Sequence, residues 1–258
     1  MTKHHTKRPF YSVSPGGRFI LAAFLAGICF LTLSAAPARA DQEGGLLLSL
    51  LGKMESSYAR LKDYTAVFRK HERVDNNKIR DEQILVKFQK PFKVYMKWID
   101  EAKEALYVDG ENNNQVLARC DGLLGLTTWR FNPTAAVLMR GNRHPITEIG
   151  FGYILQVMDK DFNMAKQYGE VEVVKMEDET FDGRPSTVIE AKFTPHDGRK
   201  YYAARMVCHV DKEFVLPVGI TCYDDKNELM EQYSYLNLKP NVGLTAMDFS
   251  KENKEYRF

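Results

Sequence analysis

Residues 84–98 read Ile-Leu-Val-Lys-Phe-Gln-Lys-Pro-Phe-Lys-Val-Tyr-Met-Lys-Trp. From Ile84 to Gln89, apolar side chains recur at every second position, which is the period of a β-strand with one buried face. Pro91 interrupts this run, and a second strand-like run follows it. The segment therefore predicts two consecutive strands of a sheet.

Strand patterns continue on both sides of this segment. Upstream, residues 64–72 are rich in β-branched and aromatic side chains, and Asp75-Asn76-Asn77 follows as a turn sequence. Elsewhere, Asp-Gly pairs separate short alternating segments, and these pairs begin at Asp109, Asp121, Asp182 and Asp197. Because both residues tolerate positive φ, such pairs predict hairpins. The pattern predicts a meander of about eleven strands, with about six before a central insert and about five after it.

Two segments have helical spacing instead. An apolar stripe with polar residues opposite it runs from Leu46 to Leu61, and residues 145–168 form the central insert, where Pro145 suits the first turn of a helix. Gly150 and Gly152 in the insert favour a close approach to the sheet, or a helix that moves. We expect an α+β domain: an unclosed antiparallel β-barrel whose concave side is covered by the N-terminal helix and the central helical insert.

The N-terminus has the three parts of a secretory signal. Basic residues precede an apolar run from Phe19 to Leu33, and residues 38–40 read Ala-Arg-Ala. This pattern predicts a signal peptide over residues 1–40, cleavage after Ala40, periplasmic localisation and a single domain over residues 41–258. An uncleaved signal anchor is the alternative, although the run is shorter than the about 20 residues that span a bilayer. Cys29 lies inside the run and follows Ile28, so we do not expect it to carry a lipid.

Charge argues against a nucleic-acid partner. Five of the 36 basic residues and none of the 34 acidic residues lie in residues 1–40. Removal of that segment leaves 31 basic and 34 acidic residues, a net charge of −3. A nucleic-acid-binding domain would have a basic face or stripe.

Three cysteines remain after residue 40: Cys120, Cys208 and Cys222. Exported proteins can keep disulfides, but an odd number leaves one thiol over. Cys208 and Cys222 flank a predicted turn, and both hold even positions, so an even register would place them near each other. The sequence leaves two alternatives open: a disulfide between Cys208 and Cys222, or two buried free thiols.

The order of several short motifs resembles that of a known group. The motifs are the helix from Leu46 to Leu61, Ala66-Val67-Phe68, Lys90-Pro91, Trp98 and Val108-Asp109-Gly110. In this order the chain resembles the periplasmic lipoprotein carriers of the LolA/LolB type, whose fold is an unclosed β-barrel with a helical lid. In those carriers an arginine before the proline holds the lid closed through helix carbonyls. Lys90 stands there in this chain, and lysine lacks the planar fork of arginine.

A more specific resemblance covers most of residues 41–258. Residues 141–148, Gly-Asn-Arg-His-Pro-Ile-Thr-Glu, and the ending Tyr256-Arg257-Phe258 are similar to segments of the DUF1571 family.

Catalytic motifs are missing from the sequence. It contains no H-x-x-x-H, C-x-x-C, G-x-S-x-G or G-x-G-x-x-G arrangement after residue 40. Cys208 and His209 are neighbours, but successive strand residues point to opposite faces. We therefore expect no enzyme activity, no metal and no cofactor. A hydrolase that uses His144 or His209 with a nearby carboxylate is the remote alternative.

The resemblance implies a hydrophobic ligand-binding cavity under the helical lid. Its predicted lining comprises Phe68, Leu85, Tyr95, Trp98, Leu106, Leu117, Trp129, Ile149, Tyr153 and Met158. Lys90, Arg143 and His144 form a predicted polar gate that could hold an anionic head group at a helix N-terminus. A hydrogen-bonded loop that fixes the helix is the alternative for Arg143 and His144. The apolar set could equally form a packed core.

We therefore predict a monomeric periplasmic carrier for lipids or an acylated protein. The alternative is a structural module of the cell envelope, with a filled core and an envelope protein as its partner. The sequence leaves both open because a cavity and a core need the same residue types.

Overall fold

The computed structural model describes residues 35–120 and 127–258, with the backbone alone for residues 35–43 and side chain 76 left out. The helices are α1 (Ala35–Arg60), α2 (Ala136–Met139) and α3 (Phe151–Tyr168). The strands are β1 (Asp63–Val74), β2 (Lys78–Gln89), β3 (Lys93–Trp98), β4 (Glu104–Val108), β5 (Val116–Arg119), β6 (Trp129–Phe131), β7 (Val171–Phe181), β8 (Arg184–Phe193), β9 (Arg205–Asp211), β10 (Pro217–Tyr223) and β11 (Leu229–Pro240). Most of the predicted signal peptide, Cys29 and the predicted turn at residues 121–122 lie outside the described residues. Helix α1 includes the predicted cleavage position after Ala40, and that cleavage stays a prediction.

All eleven of these strands belong to one antiparallel sheet, in the order β6-β5-β4-β3-β2-β1-β11-β10-β9-β8-β7. Each half of the chain is a meander, and the two halves join where β1 pairs with β11, with Tyr64 opposite Pro240 and Glu72 opposite Glu231. Strands β6 and β7 are the two edges, so the sheet does not close. The predicted unclosed antiparallel sheet with helices is confirmed. Within the described part of the chain, no helix is both long and apolar enough to cross a bilayer.

One face of the sheet, which we call the inner face, packs against α1 and α3. The alternation in β1 and β2 turns even-numbered residues such as Phe68 and Ile84 to this face, where both are buried. Helix α3 contributes Met158 and Phe162 to the same core, and α1 contributes Met54. The two helices therefore bury their apolar stripes against the sheet and each other, which is the main stabilising contribution expected for such a layer arrangement.

The opposite, outer face carries a second apolar cluster. It contains Tyr95 and Leu106, together with Leu117, and residues of the C-terminal segment 244–258 cover it. Tyr256 stacks on Tyr95 with ring centroids 3.8 Å apart. Tyr95, Leu106 and Leu117 therefore do not contact the space under the helices, and their predicted place in the cavity lining is wrong. The reason is strand parity, since Val94 and Met96 face the inner core and the residue between them must face outward.

Helix α3 begins later than predicted. Ile146–Glu148 forms a separate turn of 3-10 helix, and Gly150 then takes φ = 100°, a conformation that glycine adopts readily. A Cβ on Gly150 would lie 3.0 Å from Oη of Tyr64 on the sheet. A Cβ on Gly152 would lie 2.5 Å from Oη of Tyr58 on α1. The two glycines thus allow close approaches to two different neighbours, the sheet and α1.

Cys208 and Cys222 lie on the neighbouring strands β9 and β10, and both are free thiols. Cys208 is opposite Ile220, and Cys222 is opposite Met206. Such a diagonal pair is about 7–8 Å apart, beyond the usual Cα separation of a disulfide. Of the two alternatives that the sequence left open, the structure therefore has the two buried free thiols. Burial raises the pKa of Cys208 to about 12.

Candidate functional site

A cavity of about 260 Å³ lies between the inner face and α3. Its apolar lining comprises Phe68, Ile84, Met96, Trp98, Ala105, Val116, Ala118, Ile149, Tyr153, Ile154, Val157, Met158, Phe162, Phe193, Ala203, Met206, Ile220 and Tyr235. Val137 on α2 also borders the cavity and is 59% exposed, so the cavity reaches solvent beside α2. This volume is slightly below the about 300 Å³ at which the usual range for small-molecule sites begins.

Five of the residues predicted to line this space do so: Phe68, Trp98, Ile149, Tyr153 and Met158. Leu85 is 45% exposed on the outer side of β2, so its predicted place in the lining is wrong. Trp129 is 40% exposed on the edge strand β6 and stacks on Phe131, outside the cavity. The error for Leu85 arises because an apolar residue on a strand can face either side, and the sequence around Leu85 is apolar on both. Trp129 is opposite the cavity residue Ala118 and so shares its face, but it lies on the edge strand of the sheet.

Three aromatic side chains fill one end of the inner face, which we call the packed end: Tyr64, Phe88 and Phe151. The ring of Tyr64 lies 5.1 Å from that of Phe88 and 4.9 Å from that of Phe151. All three are buried, and none of them borders the cavity. Aromatic pairs at these separations add about 0.5–1.5 kcal/mol beyond the burial of their area.

The opposite end of β1 and β2, together with the neighbouring strand β11, is charged. We call it the charged end and define it as Lys70, Glu72, Arg80, Glu82 and Glu231. The register places Lys70 opposite Glu82, and it places Glu72 between Arg80 and Glu231 on its two neighbouring strands. All except Glu82 border the cavity. The cavity therefore has an apolar wall and a wall of buried ionic groups.

Ion pairs hold the β1–β2 part of the charged end. Nζ of Lys70 lies 2.8 Å from Oε2 of Glu82 and 3.5 Å from Oε2 of Glu72. Arg80 lies 2.5 Å from the other oxygen of Glu82. Burial by itself would raise the pKa of Glu82, but Lys70 and Arg80 outweigh it, and the pKa falls below its ordinary value. Glu82 is therefore an ionised carboxylate between two cations.

Arg143 and His144, two members of the predicted polar gate, complete the charged end from the loop before α3. Nε of Arg143 donates to Glu231 at 2.8 Å. Nε2 of His144 lies 3.1 Å from Glu231 and 2.8 Å from Oη of Tyr202, and its Nδ1 lies 2.7 Å from Glu148. Their partners are thus carboxylates and other polar groups of the protein itself. This arrangement matches the alternative to the polar gate, in which hydrogen bonds from Arg143 and His144 fix the loop before the helix.

These contacts shift both partners towards their charged forms. Burial favours the neutral form of His144, but Glu231 and Glu148 outweigh it and raise the pKa of His144 above its ordinary value. Burial likewise raises the pKa of Glu231, but hydrogen bonds from His144, Tyr202 and Arg143 lower it further than burial raises it. Glu231, only 3% exposed, is the common acceptor of the cluster.

Sequence reasoning missed Lys70, Glu72 and Glu231, although a signal was present for the first two. Lys70 and Glu72 follow Phe68 at intervals of two, so alternation alone puts them on the face of Phe68. The position of Glu231 opposite Glu72 depends on the pairing of β1 with β11, and no local sequence pattern predicts that pairing.

Lys90, the third member of the predicted gate, does not lie with Arg143 and His144. Its Nζ donates to the carbonyl oxygens of Tyr58 and Ala59 at the end of α1, the second at 3.4 Å. It also lies 3.9 Å from the centroid of the Tyr58 ring. Its predicted place in the gate is wrong, because the residue follows β2 at the packed end. A cation at the last carbonyls of a helix is favourable.

Both histidines of the remote hydrolase alternative lie beside carboxylates of the protein. Both ring nitrogens of His144 have partners, as described above. Nδ1 of His209 pairs with Glu179, and its ring stacks on Phe181, on the opposite face of β9 from Cys208. Among residues 35–120 and 127–258, no group of three or more His, Cys, Asp or Glu side chains is arranged to hold a metal ion.

The fold and the cavity define an open antiparallel half-barrel whose inner face is covered by helices over a partly empty interior. The chain belongs to the family described as "Protein of unknown function (DUF1571)", whose model matches residues 61–258. The resemblance to this family seen in the sequence is confirmed.

Several solved structures are similar to this chain at low identity. The chain is 14% identical to MucB over 81% of its own length and 62% of the MucB chain, with a TM-score of 0.44. It is 12% identical to the lipoprotein LppX of Mycobacterium tuberculosis over 78% of this chain and 98% of LppX, with a TM-score of 0.45. It is 13% identical to a LolA superfamily protein of Nitrosomonas europaea over 80% of this chain and 97% of that one, with a TM-score of 0.26. No curated protein sequence matches the chain.

Proposed function

We propose that this protein binds an apolar chain of a lipid, or of a lipid-modified cargo, in the cavity between the inner face and α3. The observation that carries the proposal is the cavity itself, bordered by side chains such as Phe68, Met158 and Phe162 and reaching solvent beside Val137. Each CH₂ group that leaves water contributes about 0.8 kcal/mol. A short stretch of acyl chain is therefore enough for measurable affinity.

The test uses the protein purified in its exported form, residues 41–258. We expect solvent extraction and mass spectrometry to find co-purifying lipid, and we expect the protein to take up a fluorescent fatty acid. The absence of both would defeat the proposal and favour a structural module with an envelope partner.

A cavity-filling variant makes the test specific. Ala118 borders the cavity on β5, and Ala118→Phe should lower the affinity for the fluorescent chain by about tenfold or more, because the ring occupies the space of the ligand. Ala102→Phe adds the same ring at an exposed position outside the cavity and should leave affinity unchanged. Thermal unfolding of both variants verifies that they are folded. Equal loss in both variants, or none in either, would place the ligand elsewhere.

Export is a separate part of the proposal. The basic head, apolar run and Ala38-Arg39-Ala40 support delivery to the periplasm with removal of residues 1–40. N-terminal sequencing of protein recovered from the periplasmic fraction should begin at Asp41. A chain that stays with the membrane and retains its first residues would support the signal anchor instead.

A further inference from the structure

Asp161 differs from the carboxylates of the charged end. It lies on α3, is 4% exposed and borders the cavity. Its Oδ2 accepts a hydrogen bond from the backbone N–H of Tyr202 at 2.7 Å. Its Oδ1 is buried and has no hydrogen-bond partner in the part of the chain that the structure describes. One oxygen of Asp161 is thus fixed by the protein, and the other is an unused acceptor.

Glu231 shows how a buried carboxylate at this cavity is fully hydrogen-bonded. Glu231 is buried to the same degree but accepts hydrogen bonds from Arg143 and Tyr202 and contacts His144. Among the described residues, Glu104 also has an oxygen without a hydrogen-bond partner and also borders the cavity. It differs from Asp161 because it interacts electrostatically with Tyr95 of the outer-face cluster, where its other oxygen accepts the backbone N–H of Arg257. A buried acceptor without a donor costs free energy, and a native structure that keeps one calls for an explanation.

The electrostatics agree with the geometry. Burial raises the pKa of Asp161 further than the Tyr202 N–H and the charge of Lys160 lower it. Lys160 is exposed, next to Asp161 in the chain. Among the residues that the structure describes, Asp161 therefore forms no ion pair with a cationic side chain.

We propose that Asp161 binds a hydrogen-bond donor of the cavity ligand, so that the ligand is an alkyl chain bearing an ammonium or a hydroxyl group. This inference rests on the proposed function, because it requires a chain in the cavity. A donor on Oδ1 satisfies the unused acceptor, while a carboxylate head is repelled and a plain hydrocarbon leaves the acceptor unpaired. Met158 and Phe162, on the same helix and at the same cavity, supply apolar contacts for the adjoining chain.

The experiment measures binding of four dodecyl probes to the full-length protein: dodecylamine, dodecanol, dodecanoate and dodecane. Each probe competes with the same fluorescent chain. We expect the amine and the alcohol to bind more tightly than the acid and the hydrocarbon, and the order of the first two distinguishes an ammonium ligand from a hydroxyl ligand. In Asp161→Asn, the affinity for dodecylamine should fall about tenfold or more, with dodecane unchanged. Asparagine keeps an oxygen for the Tyr202 N–H but removes the charge.

Asp159→Asn is the matched control, because it removes the same charge from the exposed face of the same helix. It should leave the order and the affinities as in the wild type. Asp161→Ser serves as a second variant if thermal unfolding shows that the asparagine variant is unfolded. Equal binding of all four probes, unchanged in both Asp161 variants, would mean that a buried water alone satisfies Oδ1, and it would overturn this inference while leaving the carrier function intact. No binding of any probe to the wild type would instead overturn the proposed function.

Discussion

The packed end and the charged end of the inner face are built on the same strands, yet one is filled and the other borders a cavity. At the packed end, Tyr64, Phe88 and Phe151 contact one another ring to ring. At the charged end, Lys70 and Glu231 hold fixed partners through ion pairs and hydrogen bonds. Closely packed aromatic rings stabilise the fold through dispersion contacts. A buried ion pair stabilises it only where good geometry and further hydrogen bonds offset the cost of removing the charges from water. The difference indicates that tight packing stabilises the fold at one end, while a cavity remains at the other.

The largest effect should come from emptying the packed end. Phe88→Ala removes a buried ring that contacts Tyr64 and Phe92, and it should lower the free energy of unfolding by about 4 kcal/mol. Urea denaturation measures this. Leu85→Ala, on the same strand but exposed on the outer face, is the control and should cost well under half as much. Equal costs would mean that the packed end is not the main source of stability.

Breaking the charged end should cost somewhat less. Glu231→Gln leaves Arg143 and His144 without their shared carboxylate, and it should lower the free energy of unfolding by about 3 kcal/mol. Glu228→Gln removes an exposed partner of Arg73 nearby and should cost less than about 1 kcal/mol. If the two variants have the same stability, the charged end contributes nothing specific to the fold.

A smaller effect should follow from loosening α1 at the packed end. Lys90→Ala removes the donor to the carbonyls of Tyr58 and Ala59, and it should cost about 1 kcal/mol. Amide hydrogen exchange should become faster in the last turn of α1. Lys90→Arg should preserve protection, and Lys97→Ala, at an exposed position on β3, should leave it unchanged. Unaltered exchange in Lys90→Ala would show that α1 is held by its apolar stripe alone.

The smallest expected effect is a pH dependence of the charged end. The pKa of His144 is higher in the folded protein than in the unfolded chain because of Glu231 and Glu148. Protonated His144 therefore stabilises the fold fully below about pH 6.5, and this contribution is lost as pH rises through the folded pKa. Urea denaturation between about pH 6 and pH 9 should show this decline in the wild type, and His144→Gln should reduce it. A decline of the same size in the variant would assign it to groups other than His144.

Local pattern was enough to predict much of this fold. Alternation around Ile84 and Phe68 and the Asp-Gly pairs at Asp109 and Asp182 place strands and hairpins, because each depends on residues close in the chain. The stripe from Leu46 to Leu61 likewise predicts α1. The start of α3 was misplaced because Pro145 suits both a helix and the 3-10 turn that precedes Gly150.

The candidate site was only partly predictable. Phe68 and Met158 border the cavity, whereas Leu85 and Tyr95 lie on the outer face, because an apolar side chain does not show which face of its strand will be covered. Asp161 was not singled out at all. A carboxylate on an otherwise apolar helical stripe is the signal that could have found it.

By itself, the sequence determined the elements, their order and the family of this protein, since these follow from spacing and motifs that lie close together in the chain. Only the tertiary structure decided that Glu72 meets Glu231, that residues 244–258 cover the outer face, and that Oδ1 of Asp161 is left without a partner. Each of these depends on segments far apart in the chain. Their meeting is fixed by the pairing of strands and the packing of helices, and a local pattern does not encode it.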